Sequence, residues 1–489
     1  MEKVLNYVNG EWIISRAEEF TDVINPATSE MMARTPLGGA EEVDRAIICA
    51  AQAFNDWRRV PVLERVKPLF KLRELLIDNF DDLAQTITME CGKTFEEARG
   101  EMLRAVENVA MATAMPMMMQ GYNNEDIAPG IDEMMIRQPL GVGTTIAPFN
   151  FPAMITFWFI PYALAAGNTY LVKPSERVSL TMQKIFRLID QSGFPKGVVN
   201  MVNGAKPAVD AILNHPDIKA VTFVGSTPVA KYIYSQGSAN GKRVQAQGGA
   251  KNPSVIMADA DMESSVKIIA DSAFGSAGQR CLATSVVITV GEAQESFTKM
   301  ICDVAANRVV GYGLDQSVEM GPVISQQSKN RIENLIDRST SEHANILVDG
   351  RHAIIAGYEK GFFVRPTVIK NVSHKSELAL TEVFGPVLSL MHVETLDQAI
   401  KLVNDRNYGN MANIFTRDGG SARKFRYEVE AGNVGVNIGV AAPMAFFPFS
   451  GWKDSFFGDM HGQGMDAVEF FTQKKVVIER WPKEWSRKF

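Results

Sequence analysis

The sequence predicts an α/β protein built on mostly parallel sheets, and three observations support that. Short β-rich runs, VGTTIAPF, TYLVKP, GVVNMVNG, AVTFVGS and PSVIMAD, follow one another between residues 142 and 259 with helical segments between them, the pattern of βαβ units. A second set, SVVITVG, FFVRPTVI and GPVLSLMHV, follows Cys281 and predicts another α/β domain. At 489 residues the chain exceeds one ordinary core, so two or more domains are expected.

Taken in order, EEVDRAIICAAQAFNDWRR (Glu41–Arg59) and the long run Arg65–Gly92 carry apolar residues at three- and four-residue steps and predict amphipathic helices. AMITFWFIPYALAAG (Ala153–Gly167) is the most apolar stretch, but it contains Pro161 and is short for a membrane span, so a buried helix is expected. Tyr122–Arg137 and the tail VEFFTQKKVVIERW (Val468–Trp481) read as strands attached to neither set, able to pair as an arm that finds another subunit. The expected division is residues 1–120 and 139–248 in one domain, 249–450 in a second, and 121–138 with 466–489 in the arm.

With 50 Lys and Arg against 56 Asp and Glu, a net charge of -6 and no long run of either sign, there is no basic face for nucleic acid or an anionic membrane. Four cysteines, Cys49, Cys91, Cys281 and Cys302, show no paired spacing, so neither a metal site nor a disulfide framework is expected, and the pattern suits a reducing cytosol. The polar, acidic N-terminal residues contain no apolar run of the secretory type.

Several short motifs carry chemistry. GQGMDA (Gly462–Ala467) fits a dinucleotide fingerprint only formally, because no strand pattern precedes it, and CGKT (Cys91–Thr94) ends like a phosphate loop but has Ile87 where the first glycine belongs. TYLVKPSE places Lys173 and Glu176 at a strand end. AVTFVGS then places Gly225 and Ser226 where a helix opens, and its free N–H groups could hold a pyrophosphate, although a plain N-cap explains Ser226 equally well. Asn150, in APFNFP, is held among aromatic and proline residues; it is either a turn residue or a fixed carboxamide able to donate to an oxyanion. Cys281, in FGSAGQRCLA, is either a buried inert thiol or a nucleophile, and Arg280 with its small neighbours favours the nucleophile.

Together PFNFP, KPSE, FVGS, GGAKNP, GQRC, EVFGPV and NYGN, in this order over essentially the whole chain, resemble the aldehyde dehydrogenase superfamily. Within it RQPLGVG, HPDIKAVTFVGS, GKRVQAQGGAKN and APMAFFPFSGWKDSFFGD are most similar to its CoA-acylating branch, the methylmalonate-semialdehyde dehydrogenases. The resemblance implies an aldehyde dehydrogenase-like fold: a Rossmann-like NAD domain, a catalytic domain and a β-strand oligomerisation arm that builds homodimers or homotetramers. By position it implies Cys281 as nucleophile and Asn150 as oxyanion donor, with Lys173 and Glu176 on the adenosine ribose and Gly225 and Ser226 on the pyrophosphate. Phe149, Glu382 and Phe384 complete the nicotinamide side. The Glu176 carboxylate would accept from a ribose 2′-hydroxyl and repel a 2′-phosphate, favouring NAD over NADP.

Hydrolytic members carry a glutamate where Gln247 stands. Glutamine cannot take a proton from water, so CoA is expected as the acyl acceptor. Arg104 and Arg280 occupy the positions that hold the substrate carboxylate in the acylating branch, which implies a short acidic aldehyde, malonate or methylmalonate semialdehyde. Arg104 could instead pair on its helix with Glu101 or Glu107. Pro253 and Leu282 depart from the branch, which usually has histidine and methionine there. These departures leave open hydrolytic oxidation of another small acid, succinate semialdehyde or a sulfonated aldehyde, with Asp454 or Asp459 as a substitute base.

Overall fold

The computed structural model describes residues 2–342 and 344–481. Its first large sheet has eight strands, five of them parallel in the spatial order Arg243–Gln247, Ile218–Val224, Val142–Ile146, Thr169–Lys173, Val199–Met201. Numbered along the chain this is 5-4-1-2-3, so the winding reverses between Val142–Ile146 and Ile218–Val224. A crevice opens there at the strand ends, as in every doubly wound sheet. Antiparallel segments, Phe456–Phe457 on one side and Asn6–Val8 on the other, cover the edges.

Both faces of this sheet are buried, which is why its strands read as continuous apolar runs. Because side chains alternate along a strand, Leu171 packs with Val43, Ile47 and Ile212, whereas Tyr170 and Val172 pack on the other side with Leu69, Ala163 and Phe186.

The second large sheet has seven strands, ordered Asn345–Val348, Thr367–Lys370, Val387–Val393, Thr284–Val290, Asn252–Ile256, Met411–Phe415, Asn433–Val436. All its pairings are parallel except that of the edge strand Asn345–Val348. A separate core forms around it, including Phe274, Phe297, Phe363 and Phe415.

The two expected arm segments do pair. Ile131–Pro139 lies between Tyr122–Ala128 and Thr472–Arg480, in an unbroken antiparallel register from Thr472↔Pro139 to Arg480↔Ile131. The tail reading needs one correction: Val468–Phe471 belong to the helix Gly464–Phe471, because Ala467, Val468, Phe470 and Phe471 fill the core beneath the first sheet, and the strand starts only at Thr472. Residues 482–489 of the expected arm lie outside the described residues.

Two helical expectations are also refined. Arg65–Gly92 is divided at Asn79 into Lys67–Asp78 and Phe80–Cys91; the Asn79 side chain bonds the Leu75 carbonyl at 2.8 Å and competes with the helical backbone. Ala153–Gly167 forms two short buried helices, Met154–Phe157 and Ile160–Ala166, with Pro161 tolerated in the first turn of the second. Among the described residues no helix is long and apolar enough to cross a membrane.

Candidate active site

At the reversal point lies a cavity of about 830 Å³. The loop after Val142–Ile146 contributes Phe149 and Asn150, the end of Thr169–Lys173 contributes Lys173 and Glu176, and the end of Ile218–Val224 contributes Gly225 and Ser226. Cys281, Glu382 and Phe384 close it from the second sheet's side. Thus the fold brings these nine residues to one cavity, whereas Gln247, Arg104 and Arg280 do not line it.

At one end, the Lys173 ammonium donates to the Gly204 carbonyl at 2.6 Å and to Glu176 Oε2 at 3.2 Å. Burial pushes the Lys173 pKa down; burial also works to raise that of Glu176, but Lys173, a backbone hydrogen bond and Arg177 together outweigh it and the carboxyl stays below its ordinary range. Glu176 therefore stands charged, facing the cavity. Next to it Ser226 is the N-cap of helix Thr227–Ala239, yet its hydroxyl makes no capping bond, which leaves the helix N-terminus available to an anion. A side chain at Gly225 would place its Cβ 2.4 Å from the Phe223 ring, so the backbone is exposed there because only glycine fits.

At the other end the loop before Cys281 is strained. Ser276, Ala277 and Gly278 are successive left-handed residues (φ 49°, 52° and 69°), and a Cβ at Gly278 would lie 2.1 Å from the Gly385 carbonyl oxygen. Three residues after Gly278 the Cys281 carbonyl accepts from the carboxamides of Asn252 and Asn410, each at 2.8 Å. Asn150 is buried, and its Nδ2 donates to the Gln279 carbonyl at 3.0 Å, which puts the carboxamide against the loop before Cys281. Phe149 and Phe384 meet edge to face at 5.8 Å, and Phe384 too is left-handed (φ 50°).

Burial, reinforced by the charge of Glu382, pushes the Cys281 thiol up to about 12. Glu382 itself is raised by burial to about 7, although it accepts from the Ala250 N–H at 2.9 Å. Lys251 is wholly buried and pushed down to about 7, first by burial and then by Arg406.

Neither arginine lines the cavity. Arg280 donates to Glu97 Oε1 at 2.7 Å and to Ser276 Oγ at 3.2 Å. Arg104 pairs with Glu107 at 2.9 Å, the helical alternative, while its Nη1 also contacts Met444 Sδ at 2.6 Å in the loop after the second sheet. Of the suggested substitute bases, Asp454 is held by Lys231 at 3.0 Å with both side chains well exposed. Gln247 is buried, with Nε2 on the Phe449 carbonyl at 3.3 Å. GQGMDA is structural: the Gln463 amide ties the Phe447 carbonyl at 3.0 Å.

Sequence reasoning missed the residues that hold Cys281 and Asn150 in place. Asn252 and Asn410 sit inside GGAKNP and NYGN, where their motif context was the available signal. Lys93, Glu97 and Glu101 gave no such signal, because nothing local ties them to loops far along the chain. Among the described residues no cluster of His, Cys, Asp and Glu could hold a metal ion.

The family described as "Aldehyde dehydrogenase family" matches residues 12–477. The chain is 46% identical over 481 residues to malonate-semialdehyde dehydrogenase 2 of Geobacillus kaustophilus, covering 98% of this chain and 99% of that protein. It is 45% identical over 480 residues to malonate-semialdehyde dehydrogenase of Halalkalibacterium halodurans, with 98% and 99% covered. Its fold is similar, with a TM-score of 0.97 and 41% identity, to the crystal structure of methylmalonate-semialdehyde dehydrogenase from Oceanimonas doudoroffii, covering 99% of each chain. A Sinorhizobium meliloti protein crystallised with NAD, provisionally classed as a methylmalonate-semialdehyde dehydrogenase, also gives 0.97, at 37% identity with 99% and 98% covered.

Proposed function

Because the chain belongs to the aldehyde dehydrogenase family, we propose that it oxidises a short acidic semialdehyde, malonate or methylmalonate semialdehyde, with NAD and transfers the acyl group to CoA. The observation that carries the acylating part is Gln247, a buried carboxamide where hydrolytic relatives of the resembled family place a base.

The cavity suits a dinucleotide. Lys173 and Glu176 hold the adenosine ribose, Gly225, Ser226 and the free helix N-terminus take the pyrophosphate, and Glu382 with Phe149 and Phe384 orients the nicotinamide ribose. When bound, NAD supplies the hydride acceptor.

The Cys281 thiol gives its proton to water, and the thiolate attacks the aldehyde carbon. Glu382 is the second cause of the raised thiol pKa after burial, so a Glu382 carboxylate held by ribose hydroxyls would weaken that part of the shift. Asn150 Nδ2 and the Cys281 N–H donate to the oxyanion of the thiohemiacetal, which collapses to a thioester on Cys281 as hydride departs. Carbon dioxide is then lost from the β-carboxylate, the carbanion being stabilised by the thioester carbonyl and taking up a proton. The CoA thiol displaces Cys281, giving acetyl-CoA or propionyl-CoA. Arg104 and Arg280 are the candidates for holding the substrate carboxylate.

NADH formation from malonate semialdehyde, followed with and without CoA, tests this reading. Turnover should depend on CoA and yield acetyl-CoA; a rate indifferent to CoA with free acid as product would overturn the acylating half.

The arm sheet leaves Tyr122, Ile127, Val476 and Ile478 exposed on a single chain, and we read it as the surface that pairs subunits into a homodimer or homotetramer.

A further inference from the structure

We propose that the buried ion pair of Lys93 and Glu101 is a positioning device that aims the Asn150 carboxamide at the oxyanion; this rests on Asn150 being an oxyanion donor. Lys93 lies in CGKT, between helices Phe80–Cys91 and Phe95–Ala112, and its side chain and that of Glu101 are 3% and 0% exposed. The ammonium donates to Glu101 Oε2 at 2.7 Å and to the Asn150 backbone carbonyl at 2.6 Å, and sits 4.0 Å from the centre of the Phe151 ring. The second carboxylate oxygen, Glu101 Oε1, accepts from the N–H groups of Ala153 and Met154 at 2.9 and 3.2 Å. One residue before Asn150, the Phe149 carbonyl accepts the Cys91 thiol at 2.9 Å.

Backbone groups on both sides of the Asn150 side chain are therefore tied to one short segment, residues 91–101. The loop itself belongs to no strand or helix until Met154, so its own backbone cannot hold Asn150 still. An oxyanion donor works only if it is aimed before charge develops. A buried ion pair is weak evidence for stability, since its desolvation cost rivals its attraction. Here its three hydrogen bonds to the loop instead hold that loop in place. The same segment reaches the nucleophile loop through Glu97, which accepts from the Ser276 N–H and from Arg280, both at 2.7 Å. Donor and nucleophile are thus referenced to one helix start.

The test compares single-turnover NADH formation from malonate semialdehyde in Asn150→Ala, Lys93→Gln, Glu101→Gln and the double variant Lys93→Gln/Asn150→Ala. Glu101→Gln keeps an oxygen for the Ala153 and Met154 N–H groups, so it serves if Lys93→Gln does not fold. Asn150→Ala should lose about 100-fold, the cost of one oxyanion donor, and Lys93→Gln and Glu101→Gln about 10- to 100-fold through misplacement. The double variant should be no slower than Asn150→Ala alone, while iodoacetamide alkylation of Cys281 and NAD affinity stay unchanged, because neither needs the oxyanion donor. Additive losses, or alkylation falling in parallel, would overturn the positioning role. A rate unchanged in Asn150→Ala removes the oxyanion reading itself, whereas a slow Asn150→Ala beside fully active Lys93 and Glu101 variants removes only this inference.

Discussion

The Arg280 guanidinium donates to Glu97 Oε1 at 2.7 Å across 183 residues of sequence, and that oxygen also accepts from the Ser276 N–H at 2.7 Å. The residue beside Cys281 is thereby oriented by the first turn of helix Phe95–Ala112, where Glu97 also completes a capping box with Thr94. If this guanidinium holds the substrate acid, Arg280→Ala should raise KM for malonate semialdehyde far more than for propanal. A lost charge-assisted hydrogen bond costs about 1.5–3 kcal/mol, or about 10- to 100-fold. Arg280→Lys should recover only part, lacking the bidentate fork. Equal effects on both aldehydes would remove Arg280 from acid recognition.

The thiol pKa of about 12 makes a second prediction. Only thiolate is alkylated, so without NAD the iodoacetamide reaction at Cys281 should rise about tenfold per pH unit through pH 7–10, with no plateau. Glu382, near 7, is charged above that pH and opposes the thiolate; below it the carboxyl is neutral. Glu382→Gln should therefore speed alkylation above pH 7 and leave it unchanged below pH 6. A plateau near pH 8 in the native protein would contradict this account.

Gln247→Glu should create a base. Burial at this position would raise the new carboxyl toward neutrality, the range in which a general base is effective. Product analysis without CoA should show carboxylic acid formed about 10-fold faster than in the native protein. An unchanged rate would mean that the position does not command the deacylating water.

For the arm, Ile478→Asp combined with Val476→Asp puts charge on two side chains that are 65% and 62% exposed in one chain. Native mass spectrometry should then show a smaller species than for the unmodified protein. An assembly of unchanged mass would place the interface elsewhere.

Much of the molecule is legible in the sequence for local reasons. The parallel strands are apolar runs because both of their faces are buried, as Leu171 and Tyr170 illustrate. Gly225 and Ser226 announce a strand-to-helix turn by residue type. Elsewhere local pattern misled: Val468–Phe471 has strand-like composition but is helical, because its apolar side chains fill a core under the first sheet. CGKT does not read as a phosphate loop, and its lysine pairs with Glu101 on the following helix and with the Asn150 carbonyl in a distant loop.

The sequence by itself determined the layering of the sheets through its periodicity, and its resemblance to the aldehyde dehydrogenases singled out Cys281, Asn150, Glu176 and Glu382 as the groups proposed to act. Only the tertiary structure decided what each charge pairs with: Arg280 with Glu97, Arg104 with Glu107, Lys93 with both Glu101 and the Asn150 carbonyl. Partner choice depends on which segments are packed within about 3 Å after folding, and on burial that makes an unpaired charge costly. No spacing along the chain encodes either.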